Sequence, residues 1–176
     1  ILVAAAEATL LAGQSTDDAI ELIGLAHKTD PTWPAPLSRG FEILVQAGFP
    51  ARAVEVAAIL CDVAPPSERV SILHERARLF ETSLHDPDAA MRDLRAILAI
   101  LPHDIEAHKQ LARLALTSGD ATTATTSLET VAALSTDASA VRDARISLIT
   151  AYQTFGRHAE AKQLALGLVL SNPTDD

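Results

Sequence analysis

Apolar positions in this chain recur at steps of three and four residues. Leu94, Ile97, Leu98 and Leu101 form one such stripe, the spacing that brings side chains onto one face of an α-helix. The stripes are short, and glycine, proline or small polar clusters interrupt them at regular intervals. They predict ten helices, near 1–12, 16–28, 35–47, 50–63, 67–84, 87–100, 104–117, 120–134, 138–155 and 158–171.

The helices come in matched pairs. EAHKQLARLALTSGDATTATTSLETVAAL reads as two amphipathic helices around a Ser-Gly-Asp turn. DARISLITAYQTFGRHAEAKQLALGLVL repeats that plan, with Gly156 where Gly119 stood. Such self-similarity means stacked helical hairpins, none of which buries its apolar stripe alone. Aligned on the turn, the period is 34 residues and in places 37. The result is one repeat domain over 1–176, with repeats at about 1–33, 34–70, 71–104, 105–141 and 142–176. The turns fall at AGQST, AGFP, HDPD, SGD and FGR.

Positions counted within each repeat carry the register. Position 20, early in each second helix, is Ala19, Ala53, Ala90, Ala124 and Ala161. Position 32, just past it, is Pro31, Pro65, Pro102, Thr136 and Pro173, and proline there stops the helix. Pro50 and Pro87 fall in the first turn of second helices, where a missing N–H costs nothing. Asp86 and Asp120 precede second helices, where a carboxylate caps free N–H groups. Three extra residues lie before repeat three and before repeat five, nearly one helical turn. The first helices of those two repeats are therefore expected to be longer at their N-terminal ends, with Ser67 as a cap in repeat three. Trp33, between Pro31 and Pro34, is expected to pack against a repeat junction.

These positions resemble the tetratricopeptide repeat (TPR) family across essentially the whole chain. The family has Gly near position 15, Ala at 20 and Pro at 32, and position 27 here holds Ala26, Leu60, Ile97, Val131 and Leu168. First helices fit less well. Position 8, small in the family, holds Glu7, Phe41, Arg78, Ala112 and Ile149, and position 4 holds Val3, Leu37, His74, His108 and Arg145. The resemblance implies an all-α fold, a right-handed α-solenoid of antiparallel hairpins with about ten helices. It further implies a concave groove lined by first helices, a binding scaffold for protein or peptide. Groove candidates at the family's lining positions are Arg39, Glu42, Gln46, Glu75, Arg76, Lys109, Gln110 and Arg113. The family's carboxylate clamp of Lys, Asn and Arg is missing. Ser38, Glu42, Arg76, Glu106 and Gln110 stand in its place, which argues against binding of acidic chaperone tails.

Composition narrows the reading. Hydrophobic residues make up 48% of the 176, aromatics only 3%, and the net charge is −9. That charge excludes a general nucleic-acid binder. No apolar run approaches the length of a membrane span, so no membrane insertion is expected. Cys61 is alone, so no internal disulfide forms. A soluble chain, cytoplasmic by default, is the expectation. The chain begins at Ile1 and reads as a piece of a longer protein. ILVAAAEATLLAG lacks a basic start and holds Glu7, so it is read as a truncated helix and not a signal peptide.

No constellation favours catalysis. The six histidines are scattered, and HERAR at 74–78 places Arg78 where a zinc protease needs its second ligand. No phosphate loop or nucleophile elbow occurs. The expectation is no enzyme, no cofactor and no metal. The alternative to a binding scaffold is a spacer or docking region of a larger enzyme or regulator. Leu164, Leu168 and Leu170 in the last helix leave an apolar end through which the chain is expected to add further repeats, a domain or another copy of itself. Finally, Arg76, Lys109 and Arg113 fall at groove positions of adjacent repeats; the expectation is a plain solvated face in which Glu75 and Glu106 pair with Arg113 and Lys109, and the alternative is a cation cluster that holds an acidic side chain or peptide carboxylate.

Overall fold

Proline, aspartate and glycine set the helix boundaries in this protein. Its computed structural model describes residues 2–11, 15–31 and 33–171, all-helical with ten helices among them. They are α1 (Leu2–Leu11), α2 (Thr16–Thr29), α3 (Ala35–Gln46), α4 (Pro50–Val63) and α5 (Pro66–Thr82). There follow α6 (Pro87–Ile100), α7 (Ile105–Ser118), α8 (Ala121–Leu134), α9 (Ala138–Thr154) and α10 (His158–Ser171). Carboxylates cap four of them. Asp86, Asp104, Asp120 and Asp137 accept from the backbone N–H of Ala89, Ala107, Thr123 and Ser139 at 2.8, 2.9, 3.0 and 3.0 Å. Each bond satisfies a donor that the first helical turn leaves without a partner.

The turn inside each hairpin uses one backbone device. Gly48, Gly119 and Gly156 have φ of 78°, 78° and 75°, and all three occupy position 15 of their repeats. The left-handed residue lets the chain reverse while its neighbours close onto the last carbonyls: Asp120 N–H bonds Ala115 O at 2.9 Å, and Arg157 N–H bonds Tyr152 O at 2.7 Å. Repeat three has His85 at this position, with φ of 54°. An L-residue with a Cβ pays roughly 1–2 kcal/mol to sit there, so the repeat geometry overrides local preference. The turn of repeat one, at AGQST, lies largely outside the described residues, as do Pro173, Asp175 and Asp176.

The two inserted triplets behave as expected. α5 and α9 have 17 residues each, against 12 in α3 and 14 in α7. Both gain their length at the N-terminal end. Two local expectations are corrected. Ser67 does not cap α5: Pro65 stands at the cap, the helix starts at Pro66, and no side chain caps it. Two consecutive prolines pre-set the backbone for entry two residues earlier than a cap at Ser67 would. Trp33 is only partly packed: its backbone N–H closes a turn onto the Asp30 carbonyl at 3.2 Å, and its ring lines a pocket with Leu2, Val3, Ala26 and Pro36 while 55% of it stays exposed.

Contacts divide the chain into two compact units between Asp93 and Leu94. In the first, α1 packs on α2, α3 on α4 and α4 on α5, with α2 and α1 also against α3. Its core gathers Ile23, Leu37, Leu44 and Leu60, each at most 1% exposed. Burying each such side chain contributes about 1.5–3 kcal/mol. Gly40 belongs to this core because Ile23 leaves no room for more: a Cβ at Gly40 would come within 2.8 Å of Ile23 Cδ1 and Cγ2. Arg39 of α3 reaches Glu7 of α1 at 2.7 Å, and Arg52 of α4 reaches Asp17 of α2 at 2.6 Å, which ties the first two hairpins at the surface. In the second unit α7 packs on α8, α8 on α9 and α9 on α10. Its core includes Ala112, Leu128, Leu148, Ala151, Tyr152 and Ala161. The phenol of Tyr152 donates to Glu129 at 2.6 Å and lies under Arg157, 4.3 Å from ring centroid to guanidinium carbon. Burial, then the Glu129 contact, pushes the Tyr152 phenol above its ordinary pKa.

Candidate functional site

In the second unit, α7 and α9 stand on either side of α8 and enclose a trough of about 530 Å³. Its floor is Leu128 and Val131 of α8. One wall is α7, with Lys109, Ala112, Arg113 and Leu116 facing in. These four lie at the three- and four-residue steps that share a helix face, and the small Ala112 opens the space between them. The other wall is the N-terminal part of α9 and its cap, with Asp137, Ser139, Asp143 and Ser147. The trough is therefore apolar below, cationic along α7 and anionic along α9. Lys109 and Arg113 are exposed residues.

The first unit holds a smaller pocket of about 390 Å³ between α3 and α5 over α4. Phe41, Leu60 and Ile72 supply its apolar surface. Glu42 and Glu68 supply carboxylates, and Ser38, Ser67 and Ser71 hydroxyls. Arg39 donates to Glu42 at 3.1 Å, with the same guanidinium shared with Glu7. Hydrogen bonding to Glu42, then the charge of Glu7, raises the Arg39 pKa further above its ordinary value.

The other groove candidates are placed as follows. Gln46 is exposed near the end of α3. Glu75 pairs with Arg78, with Arg78 Nε donating at 2.9 Å. Gln110 donates to Glu106 at 2.9 Å, which occupies the carboxylate expected to compete for Lys109. Arg76 belongs to the first unit, and Lys109 and Arg113 to the second. Its guanidinium makes a two-pronged bond to Asp93 at 2.7 and 2.5 Å. The two side chains are 16% and 6% exposed. The Asp93 hydrogen bonds raise the Arg76 pKa. Cys61 packs half-buried nearby, and burial pushes its thiol up.

Asp143 and Ser147 escaped the sequence reading although they occupy lining positions 2 and 6 of repeat five. Asp137 and Ser139 escaped it because they sit on the extra turn, before position 1. The signal was the inserted triplet itself, which lengthens α9 along the trough. Among the described residues no group of three or more His, Cys, Asp or Glu is arranged to hold a metal ion. No helix among them is long and apolar enough to cross a membrane.

The tetratricopeptide repeat family model matches residues 82–145, the stretch from the end of α5 into α9. That span includes the left-handed turn at Gly119 and the alanines at position 20 in two hairpins. Over that stretch the chain is similar to the tetratricopeptide repeat family. Solved TPR-type structures share its fold. The crystal structure of MamA is 18% identical with a TM-score of 0.61, covering 87% of this chain and 86% of that one. A putative kinesin light chain of nearly identical TPR-like repeats from Podosopora anserina is 20% identical with a TM-score of 0.57, covering 98% and 96%. YrrB, described as a TPR protein with an unusual peptide-binding site, is 13% identical with a TM-score of 0.61, covering 99% and 86%. None of the curated proteins compared with the chain matches it in sequence. In TPR terms, Lys109 and Arg113 stand at positions 5 and 9 of repeat four, on a first helix.

Proposed function

We propose that this chain is a non-catalytic scaffold that holds a segment of a partner protein, and that the α7–α9 trough receives it. The observation that carries the reading is the trough's lining: an apolar floor beside two exposed cations one turn apart. An extended or helical segment with alternating apolar and acidic residues fits this surface. Its apolar side chains would cover Leu128 and Val131, and its carboxylates would meet Lys109 and Arg113, Arg through its two-pronged fork. Asp143 on the opposite wall orients the segment, since it repels a carboxylate that approaches from the α9 side. The printed description of YrrB, a TPR protein with a peptide-binding site, supports the class of ligand. The wider groove proposed from the sequence, with Arg39, Glu42, Gln46, Glu75, Arg76 and Gln110, is reduced on this reading. Arg76 is committed to Asp93 and Gln110 to Glu106.

The test is titration of a fluorescein-labelled decapeptide alternating glutamate and leucine, read by polarisation. The double variant K109A/R113A should weaken binding about three- to tenfold, since each exposed pair is worth about 0–1 kcal/mol. It should also flatten the salt dependence. D143N should tighten binding. Unchanged affinity in K109A/R113A, or loss of affinity in D143N, overturns the reading.

A further inference from the structure

The two pockets are related by the repeat. Six of the eight positions that line the first have a counterpart in the trough 71 residues along the chain, one long and one short repeat period away. Ser38 corresponds to Lys109, Phe41 to Ala112, Glu42 to Arg113, Leu60 to Val131, Glu68 to Ser139 and Ile72 to Asp143. In each unit the far wall is the N-terminal turn that the inserted triplet adds, on α5 in one and α9 in the other. The insertions thus raise one wall of a pocket at every second repeat.

The architecture is kept, but the chemistry of the near wall is reversed. Where α7 offers Lys109 and Arg113, α3 offers Ser38 and Glu42. Where α7 has the small Ala112, α3 has Phe41, so the first pocket is shallower and more apolar. Its lining carries two carboxylates, Glu42 and Glu68, and no cation; the guanidinium of Arg39, outside the lining, is shared by Glu42 and Glu7. Arg69, the next cation on α5, donates to the Ala64 carbonyl at 3.1 Å and is not part of the lining. The N-terminal end of α5 adds about half a positive charge. The balance is negative by more than one unit charge, over an apolar floor.

We propose that the α3–α5 pocket is a docking site for a basic segment of a partner protein, one that sets a lysine or arginine beside an aliphatic or aromatic residue. The apolar residue covers Phe41, Leu60 and Ile72, and the cation meets Glu42 and Glu68. Long basic side chains suit this site because their methylene stems lie on apolar surface while the head group reaches a carboxylate. This site is independent of the acidic segment assigned to the α7–α9 trough.

The experiment uses a fluorescein-labelled decapeptide alternating lysine and leucine, alongside the glutamate–leucine peptide, on the whole chain. The variant E42Q/E68Q removes two exposed charges from the pocket. E21Q/D88N removes two exposed charges from elsewhere in the first unit, and so measures the general pull of a chain of net charge −9. The proposal expects the lysine–leucine peptide to lose about fivefold in affinity in E42Q/E68Q and less than twofold in E21Q/D88N. S71K, which puts a cation into the pocket without touching the core, should weaken it as well. K109A/R113A should leave it bound as before. Equal losses in E42Q/E68Q and E21Q/D88N, or no binding to the unaltered chain, overturn the proposal. Failure of the trough reading shows separately, as a glutamate–leucine peptide indifferent to K109A/R113A.

Discussion

Removing Asp93 should destabilise this protein far more than removing any other carboxylate described here. Asp93 is on α6 and receives both prongs of the Arg76 guanidinium at 2.7 and 2.5 Å, with the side chains 6% and 16% exposed. Asp93→Ala leaves a permanently charged guanidinium in a site that has little water. Breaking one partner of a buried pair costs about 3–5 kcal/mol. The 16% of Arg76 that reaches solvent places the expectation near the lower figure, about 3 kcal/mol. That is a large share of the 5–15 kcal/mol typical of a folded domain. The pair itself is not expected to be a large net source of stability, because desolvating both charges offsets their attraction. Arg76→Met combined with Asp93→Leu should therefore lie within about 1 kcal/mol of the unaltered chain, or above it. Urea unfolding followed by helical circular dichroism on the unaltered chain, Arg76→Met, Asp93→Leu and their combination gives the coupling energy, with Asp93→Ala measured alongside. A cost under about 1 kcal/mol for Asp93→Ala, or simple additivity in the double variant, would refute the reasoning.

Three further outcomes follow from the fold. Gly40→Ala should cost about 1–3 kcal/mol in thermal or urea unfolding, because its Cβ meets Ile23 at 2.8 Å, and combining it with Ile23→Ala should cost less than the sum of the two changes. His85→Gly should raise stability by about 1 kcal/mol, because it releases the left-handed strain at φ 54°; a destabilised variant would show that the His85 side chain is needed for another contact. Asp120→Ala should cost about 1 kcal/mol at neutral pH through the lost cap. The bonds from Thr123 hold Asp120 below the ordinary carboxylate pKa, so this contribution is present above the unfolded value and vanishes as pH falls through the folded one; a difference from wild type that stays constant into strong acid would contradict it.

Much of this architecture was legible in the sequence because it repeats. Position 20 alanines, position 15 glycines and position 32 prolines each answer a backbone requirement that recurs in every hairpin, so five weak signals add up. The inserted triplets predicted the longer α5 and α9 for the same reason. What did not repeat was harder to read. His85 at the left-handed position looked like an ordinary polar turn residue, because the demand for φ above zero comes from the hairpin and not from its local sequence. Nothing in the sequence marks Asp93, and only the fold shows that Arg76 of α5 reaches it. At the candidate binding surface, Lys109 and Arg113 were found from the lining positions that the resemblance to the repeat family implies. Their opposite wall was not, because Asp137 and Ser139 precede the position where a regular repeat begins. The charge-reversed counterpart in the first unit needed the pocket geometry, since Glu42 and Arg113 share a position but no chemistry.

The central claim is that the α7–α9 trough is a binding surface for a partner segment. The most direct measurement is two-dimensional amide NMR of the whole chain during titration with the glutamate–leucine decapeptide. The account predicts saturable shifts concentrated on inward residues of α7 and the N-terminal half of α9, with Lys109, Ala112, Arg113 and Asp143 among the largest, and their loss in K109A/R113A. Shifts centred on α2 or α10, or spread over the surface without saturation, would contradict it.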